Sequence, residues 1–214
     1  MISTVEALAL IALGLAVGLS GAAIPGPLLA FTVVDTSKKG KVTGHYVMVG
    51  HVLWEAGVIL LILYGLGWIF TRHSPVIYLV GGLVLAAMGV RMITLRRQGL
   101  QTGNPRTGSS IGGGLFYSAF NPTQPLWWAT AGLALLLQGL EVMGLIGVAL
   151  VTAGHWISDF GYYTFVSILV NRHKSYVNHR QREITTLLGL FLTLLGIFFV
   201  YQGVRKLDSA FTSI

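Results

Sequence analysis

The sequence predicts an all-α membrane protein of six transmembrane helices, arranged as two inverted three-helix repeats with helices 1 and 4 broken at prolines. Three observations predict it. Of 214 residues, 54% are hydrophobic and only 10% are charged, with a mean hydropathy of +0.74; a soluble domain carries about 25% charged residues. Apolar stretches run over 5–34, 43–70, 75–95, 112–138, 142–170 and 184–205, each reaching the ~20 residues that cross a bilayer. A Gly-His-x-x-x-acid-x-Gly pattern appears once in each half of the chain.

The first stretch is too long for one straight span and contains Pro25-Gly26-Pro27. Two prolines remove backbone donors and bias the residues before them away from helical angles. The stretch therefore reads as two half-helices, and, with no basic segment ahead of it, as a retained helix rather than a signal peptide. The fourth stretch is interrupted in the same way by Asn121-Pro122-Thr123-Gln124-Pro125, and a new half-helix is expected after Pro125.

The second and fifth stretches carry the repeat. Gly50, His51, Glu55 and Gly57 match Gly154, His155, Asp159 and Gly161 at a constant offset of 104. The third and sixth end in Gly89-Val90-Arg91 and Gly203-Val204-Arg205, with Gly82 matched to Gly196. Pro25 pairs with Pro122. An odd number of spans per half makes the second half enter from the opposite side, the signature of inverted repeats with a midplane site at the broken helices. The organisation is 1–97 for the first repeat, 98–111 for a Gly/Ser/Thr-rich connecting loop, and 112–214 for the second repeat.

The net charge of +7 does not indicate nucleic acid, because the basic residues are divided among short segments between apolar stretches. Lys38, Lys39, Lys41, Arg96, Arg97, Arg106, Arg172, Lys174, Arg180 and Arg182 fall on one side, against Arg72, Arg205 and Lys206 on the other. The positive-inside rule places the first group in the cytoplasm and both termini outside, in the cell (inner or plasma) membrane. Absence of cysteine excludes disulfides and thiolate metal sites. Since no nucleophile–base pair is recognisable, an enzyme is not expected, and nothing calls for a cofactor.

Of seven acids, Glu6, Asp35, Glu141, Glu183 and Asp208 lie near span ends or in loops. Glu55 and Asp159 lie midway along their spans, where an ionisable side chain is costly and marks an ion or substrate path. His51 and His155 precede them by four residues and share their helix faces. These histidines fit a proton relay, a divalent-metal site with both acids, or a hydrogen bond to a carbonyl in a neighbouring broken helix. At the breaks, a half-helix N-terminus can receive an anion, and Asn121 and Gln124 add polar groups. An amino acid fits such a site, with its carboxylate at a half-helix start and its ammonium toward Glu55 or Asp159. Trp68, Trp127 and Trp128 read as interfacial anchors or as lining a pathway, with the anchor reading preferred.

Pro25-Gly26-Pro27, the basic Ser37-Lys38-Lys39-Gly40 turn, Gly50 with Glu55, and Asn121-Pro122 together resemble the lysine exporter (LysE/RhtB) superfamily over nearly the whole chain. The resemblance implies six spans, a homodimer, and export of amino acids or related metabolites on a proton or other cation gradient. Glu55 stands where that family typically has aspartate, Thr123-Gln124 follow Asn121-Pro122 where it has lysine, and the two Gly-His motifs are not typical of it. Related branches export divalent metals, which makes His51, Glu55, His155 and Asp159 an alternative metal set. The partners expected are thus a small-molecule substrate, a coupling ion, the lipid bilayer and a second copy of the chain, with no nucleic acid.

Overall fold

Proline and glycine positions set the boundaries of the helices. The computed structural model describes residues 4–94 and 107–212, and contains no β-strand among them. Helix α1 (Thr4–Ala22) stops before Pro25, and α2 (Pro27–Lys39) starts with Pro27 in its first turn, where a missing N–H costs nothing. Gly40 ends α2 at φ 101°, its N–H bonded to the Thr36 carbonyl at 2.9 Å. Helix α3 (Thr43–Leu63) ends before Gly65, at φ 76°, and a short α4 (Trp68–Arg72) follows, so the stretch 43–70 is not one span. Helix α5 is Ser74–Thr94.

In the second half, α6 (Thr107–Ala119) begins earlier than residue 112. The break falls at 120–122, and α7 (Thr123–Trp127) continues through a π-helical turn, Trp128–Gly132, into α8 (Leu133–Arg172). The expected restart after Pro125 is corrected to Thr123. Pro125 sits in the first turn of α7, whose N–H groups have no helical partner in any case. The expected connecting loop lies outside the described residues up to residue 106. Short α9 (Lys174–His179) and long α10 (Gln181–Thr212) complete the chain.

Helix α8 is two helices. Met143 (φ −140°, ψ 21°) and Gly144 (φ 60°, ψ −145°) are not helical, and a Cβ on Gly139 or on Gly147 would collide with the backbone of the other. Eight residues of straight helix span about 12 Å, so the chain folds back at Gly144. Among the described residues, five helical segments are long and apolar enough to cross a membrane, including the fifty-residue Thr123–Arg172 that contains this reversal. Six separate spans were expected; α6, with 13 residues, is too short to count alone. Exposed apolar side chains such as Leu8, Leu53, Leu83, Leu145 and Leu194 cover the outer surface, as hydrocarbon contact requires.

Three close helix pairs build the bundle, and their contacts recur at fixed offsets. A Cβ on Gly50 (α3) would strike Ile111 and Leu115 of α6, and one on Gly154 (α8) would strike Ile11 and Leu15 of α1. Gly114 meets Val47 as Gly14 meets Val151. Between α5 and α10, Gly82 meets Val200 as Gly196 meets Ala86, and Gly89 meets Thr193 as Gly203 meets Leu79. Small residues here let backbones touch, the usual basis of helix association in lipid. These pairings bring the middle of α3 and of the later part of α8 against the two breaks.

Candidate functional site

His51 and Glu55 lie one turn apart on α3, and His155 and Asp159 lie one turn apart on α8. The four side chains meet in the interior, with Glu55 and Asp159 each 2% exposed. Glu55 is held by four donors. The Trp128 indole (2.9 Å) and the Gln124 amide (3.0 Å) reach Oε1, and the Trp156 indole (3.0 Å) and His155 Nε2 (3.2 Å) reach Oε2. Trp54 donates to Gln124 Oε1 at 2.6 Å, which turns the amide nitrogen toward Glu55. A carboxylate has a lone pair for each of the four.

The hydrogen bonds around His51 place a proton on its Nδ1. Ser118 donates its hydroxyl proton to the Gly114 carbonyl at 2.7 Å, so its oxygen accepts from His51 Nδ1, also at 2.7 Å. With a proton held on Nδ1, Nε2 faces Glu55 Oε1 at 3.2 Å and Asp159 Oδ2 at 3.7 Å. One ring nitrogen and two carboxylate oxygens converge there, so a cation, whether a proton on Nε2 or a metal ion, completes the arrangement. Asp159 Oδ2 accepts no hydrogen bond among the described residues, although His155 Nε2 is 3.2 Å away; that ring nitrogen bonds Glu55 instead.

His155 is clamped by aromatic rings, stacked on Trp127 (centroids 5.1 Å apart, 21° between planes) and edge-on to Trp128 (5.0 Å, 82°). Its Nδ1 has no hydrogen-bond partner among the described residues and lies against Gly18, where a Cβ would come within 2.7 Å of it.

A cavity of about 430 Å³ opens onto this cluster. Pro25, Gly26 and Pro27 line it from the first break, Asn121 and Gln124 from the second, and His51, Glu55, His155 and Asp159 from the helices between. Tyr78 of α5 and Phe199 of α10 close another side. Pro122 and Pro125 do not line it. Pro122 is fully buried, against the position a Cβ on Gly81 would take, and Pro125 is buried in the first turn of α7. Asn121 turns its Oδ1 back to the N–H (3.2 Å) and hydroxyl (2.8 Å) of Thr123, starting α7.

Of the two sequence readings of Trp127 and Trp128, interfacial anchor and pathway lining, the preferred anchor reading is corrected. Trp128 is completely buried and serves Glu55, while Trp127 lines the cavity. Trp68, 53% exposed with Arg72 5.8 Å above its ring, has the exposure an anchor needs. Trp54, Trp156 and Ser118 were missed as partners of the cluster. Trp54 and Trp156 each adjoin a motif residue, Glu55 and His155, and that adjacency was the available signal. Ser118 had none.

Away from the cavity, the acid Asp35, expected simply at a span end, is buried. Lys39 Nζ lies 2.9 Å from its Oδ1 and donates to Ser110 at 2.8 Å, and Ser110 donates to Asp35 Oδ2 at 2.7 Å. Thr36 hydrogen-bonds Ser167 of α8 at 2.9 Å. The C-terminal end of α2 is thereby tied to both α6 and α8.

A helical bundle with a buried polar cluster, two broken helices and a cavity between them is the arrangement of a membrane transporter. No curated protein and no solved structure matches the chain. The family model for LysE type translocators matches residues 19–203, which takes in both breaks and all four cluster residues. The chain belongs to the LysE type translocator family.

Proposed function

We propose that the protein is a secondary transporter that exports a small amino acid or related metabolite from the cell, driven by a proton or other cation gradient. One observation carries this reading: both helix breaks and both His/acid pairs border a single cavity. Glu55 and Asp159 bind the coupling cation or the substrate amine, with His51 and His155 beside them. Asn121 and Gln124 form the polar wall of the cradle, and the segments at Pro25–Gly26–Pro27 and Pro122–Pro125 serve as gates.

The architecture proposed is six crossings in two inverted three-helix repeats, with both termini outside an inner or plasma membrane. The matched contacts of α3–α6 with α8–α1, and the self-matched contacts of α5 with α10, support it. The reversal at Gly144 supports counting the α7–α8 segment as two crossings. Alternating access then comes from rocking one repeat against the other around the cluster. A homodimer rests on the family resemblance alone.

The test is flux. Purified protein in proteoliposomes is loaded with single labelled amino acids, and efflux is followed with and without an imposed pH or cation gradient. Gradient-dependent efflux of one class is expected, with a loss of at least ~100-fold in Glu55→Gln while the variant keeps its thermal transition. Undiminished efflux in Glu55→Gln would remove the cluster from the mechanism, and no efflux of any amino acid would remove the substrate class.

A further inference from the structure

We propose that His51, Asp159 and Glu55 form a binding site for a divalent transition-metal ion, with an open coordination position toward the cavity. The inference concerns the cluster that the exporter reading assigns to the coupling cation, and it rests on that reading only in placing a cation there.

Geometry comes first. One ligand atom from each of the three residues lies within 4.8 Å of the others. Metal–ligand bonds of about 2.0–2.2 Å in a tetrahedral site put ligand atoms about 3.3–3.6 Å apart. The edges His51 Nε2–Glu55 Oε1 at 3.2 Å and His51 Nε2–Asp159 Oδ2 at 3.7 Å bracket that range. All three residues line the cavity, so a fourth position faces the space a small molecule or water can enter.

Two independent features point to a ligand. Ser118 holds a proton of His51 on Nδ1, so Nε2 is the ring nitrogen that faces the two carboxylates and that an arriving metal ion meets in place of a proton. Asp159 Oδ2, in a side chain 3% exposed, has no hydrogen-bond donor among the described residues. The Nδ1–Ser118–Gly114 relay is the kind of outer support that fixes ring orientation in metal-binding histidines. Glu55 contributes charge already oriented by indole donors. Its direct ligation requires the Gln124 amide to yield, whereas Asp159 Oδ2 ligates without losing a hydrogen bond and His51 Nε2 exchanges its contacts with the carboxylates for the ion they share.

The donor set fixes the class of ion. One imidazole nitrogen with two carboxylates suits Zn²⁺, Mn²⁺, Co²⁺ or Ni²⁺. Ca²⁺ needs six to eight oxygens and Mg²⁺ an octahedral oxygen shell, and neither is supplied here.

The experiment uses tag-free, detergent-solubilised full-length protein and needs no transport, so its failure is distinguishable from failure of the exporter reading. Equilibrium dialysis with Zn²⁺, Co²⁺, Mn²⁺ and Ni²⁺, with Mg²⁺ and Ca²⁺ as controls, reads stoichiometry, and visible absorption of the Co²⁺ form reads its ligand field. The expected result is one ion per chain, Co²⁺ bands of a four- or five-coordinate site, and a rise in Tm with metal concentration. Affinity should fall at least ~100-fold in His51→Ala and Asp159→Asn, and about 10–100-fold in the milder Ser118→Ala, which removes only the outer support. Absence of those bands and of stoichiometric binding in the native protein overturns the proposal. So does binding that persists in folded His51→Ala and Asp159→Asn. If those two variants fail to fold, the Co²⁺ spectrum of the native protein and the Ser118→Ala affinity decide.

Discussion

The two His/acid pairs occupy matching places in the two halves of the molecule, yet their hydrogen bonding is opposite in character. Glu55 collects three indole or amide donors and an imidazole, and its neighbour His51 is anchored by Ser118. Among the described residues, Asp159 keeps an oxygen without a donor, and its neighbour His155 keeps a nitrogen without a partner. Much of the difference traces to what the packed helix offers. Ser118 of α6 faces His51 in the position where Gly18 of α1 faces His155. The repeated motif thus sets where the pairs sit, and the neighbouring helices set what each pair can do: one acid is fixed, the other is left able to change partners.

That asymmetry is broken most severely by deleting the fixed acid. Glu55→Ala strips the common acceptor from Trp128, Gln124, Trp156 and His155, and removing one side of a buried charged network costs about 3–5 kcal/mol. Asp159→Ala should cost less than half as much. Chemical or thermal unfolding in detergent reads both, and equal losses would show that the two acids are held alike.

A second difference lies at the ends of the half-helices. The end of α2 is tied by Asp35, Lys39 and Ser110, whereas the packing at 139 and 147 joins glycines. Lys39→Ala leaves a buried carboxylate without its cation. If that weakens the closed packing by about 2 kcal/mol, the population of an opened state rises about 30-fold. Because the chain has no cysteine, a Ser37→Cys background, at a buried position whose hydroxyl bonds the Val34 carbonyl of its own helix, reports the opening: its alkylation should accelerate in Lys39→Ala. An unchanged rate would reduce the Asp35 cluster to local packing.

A third pair sharpens the comparison from the opposite side, because here the halves are alike. Gly50→Ala and Gly154→Ala each force a methyl into the backbone of the paired helix, and each should cost about 1–3 kcal/mol. Similar losses mean that the two interfaces are equivalent, and a difference of more than ~1 kcal/mol would mark one of them as yielding.

Much of this was legible in the sequence because membrane burial punishes exceptions. Glu55, Asp159 and the proline breaks stand out in an apolar chain for the same physical reason that they gather at the cavity. The glycine matches were visible because close backbone approach tolerates no side chain. The partners were not legible. Trp128 reads as an interfacial ring until the π-helical turn after α7 is known to carry it inward, and Ser118 is one hydroxyl in a helix whose facing neighbour lies 67 residues away. The turn at Gly144 left only a glycine as its signal within a continuous apolar run, so the sequence boundary at 138–142 located it only coarsely.

Ser118→Ala isolates the smallest part of the asymmetry. It removes one hydroxyl and leaves the helix propensity of α6 undiminished, so its effect reports the His51 anchor alone. A hydrogen bond between membrane helices is worth about 0.6 kcal/mol on average and at most about 1.7, and the stability loss should fall in that interval. The sharper consequence concerns the tautomer. Without an acceptor at Nδ1, the His51 proton is free to move to Nε2, where it bonds the facing carboxylates. The ring would then resemble His155, which already turns its Nε2 to Glu55 and leaves Nδ1 bare. Nitrogen-15 NMR of labelled histidine separates the two tautomers, and the His51 signal should shift from the Nδ1–H form toward the Nε2–H form in Ser118→Ala. A native spectrum already showing Nε2–H at His51 would mean that Ser118 does not hold the proton, and the difference between the halves would then rest on the tryptophans alone.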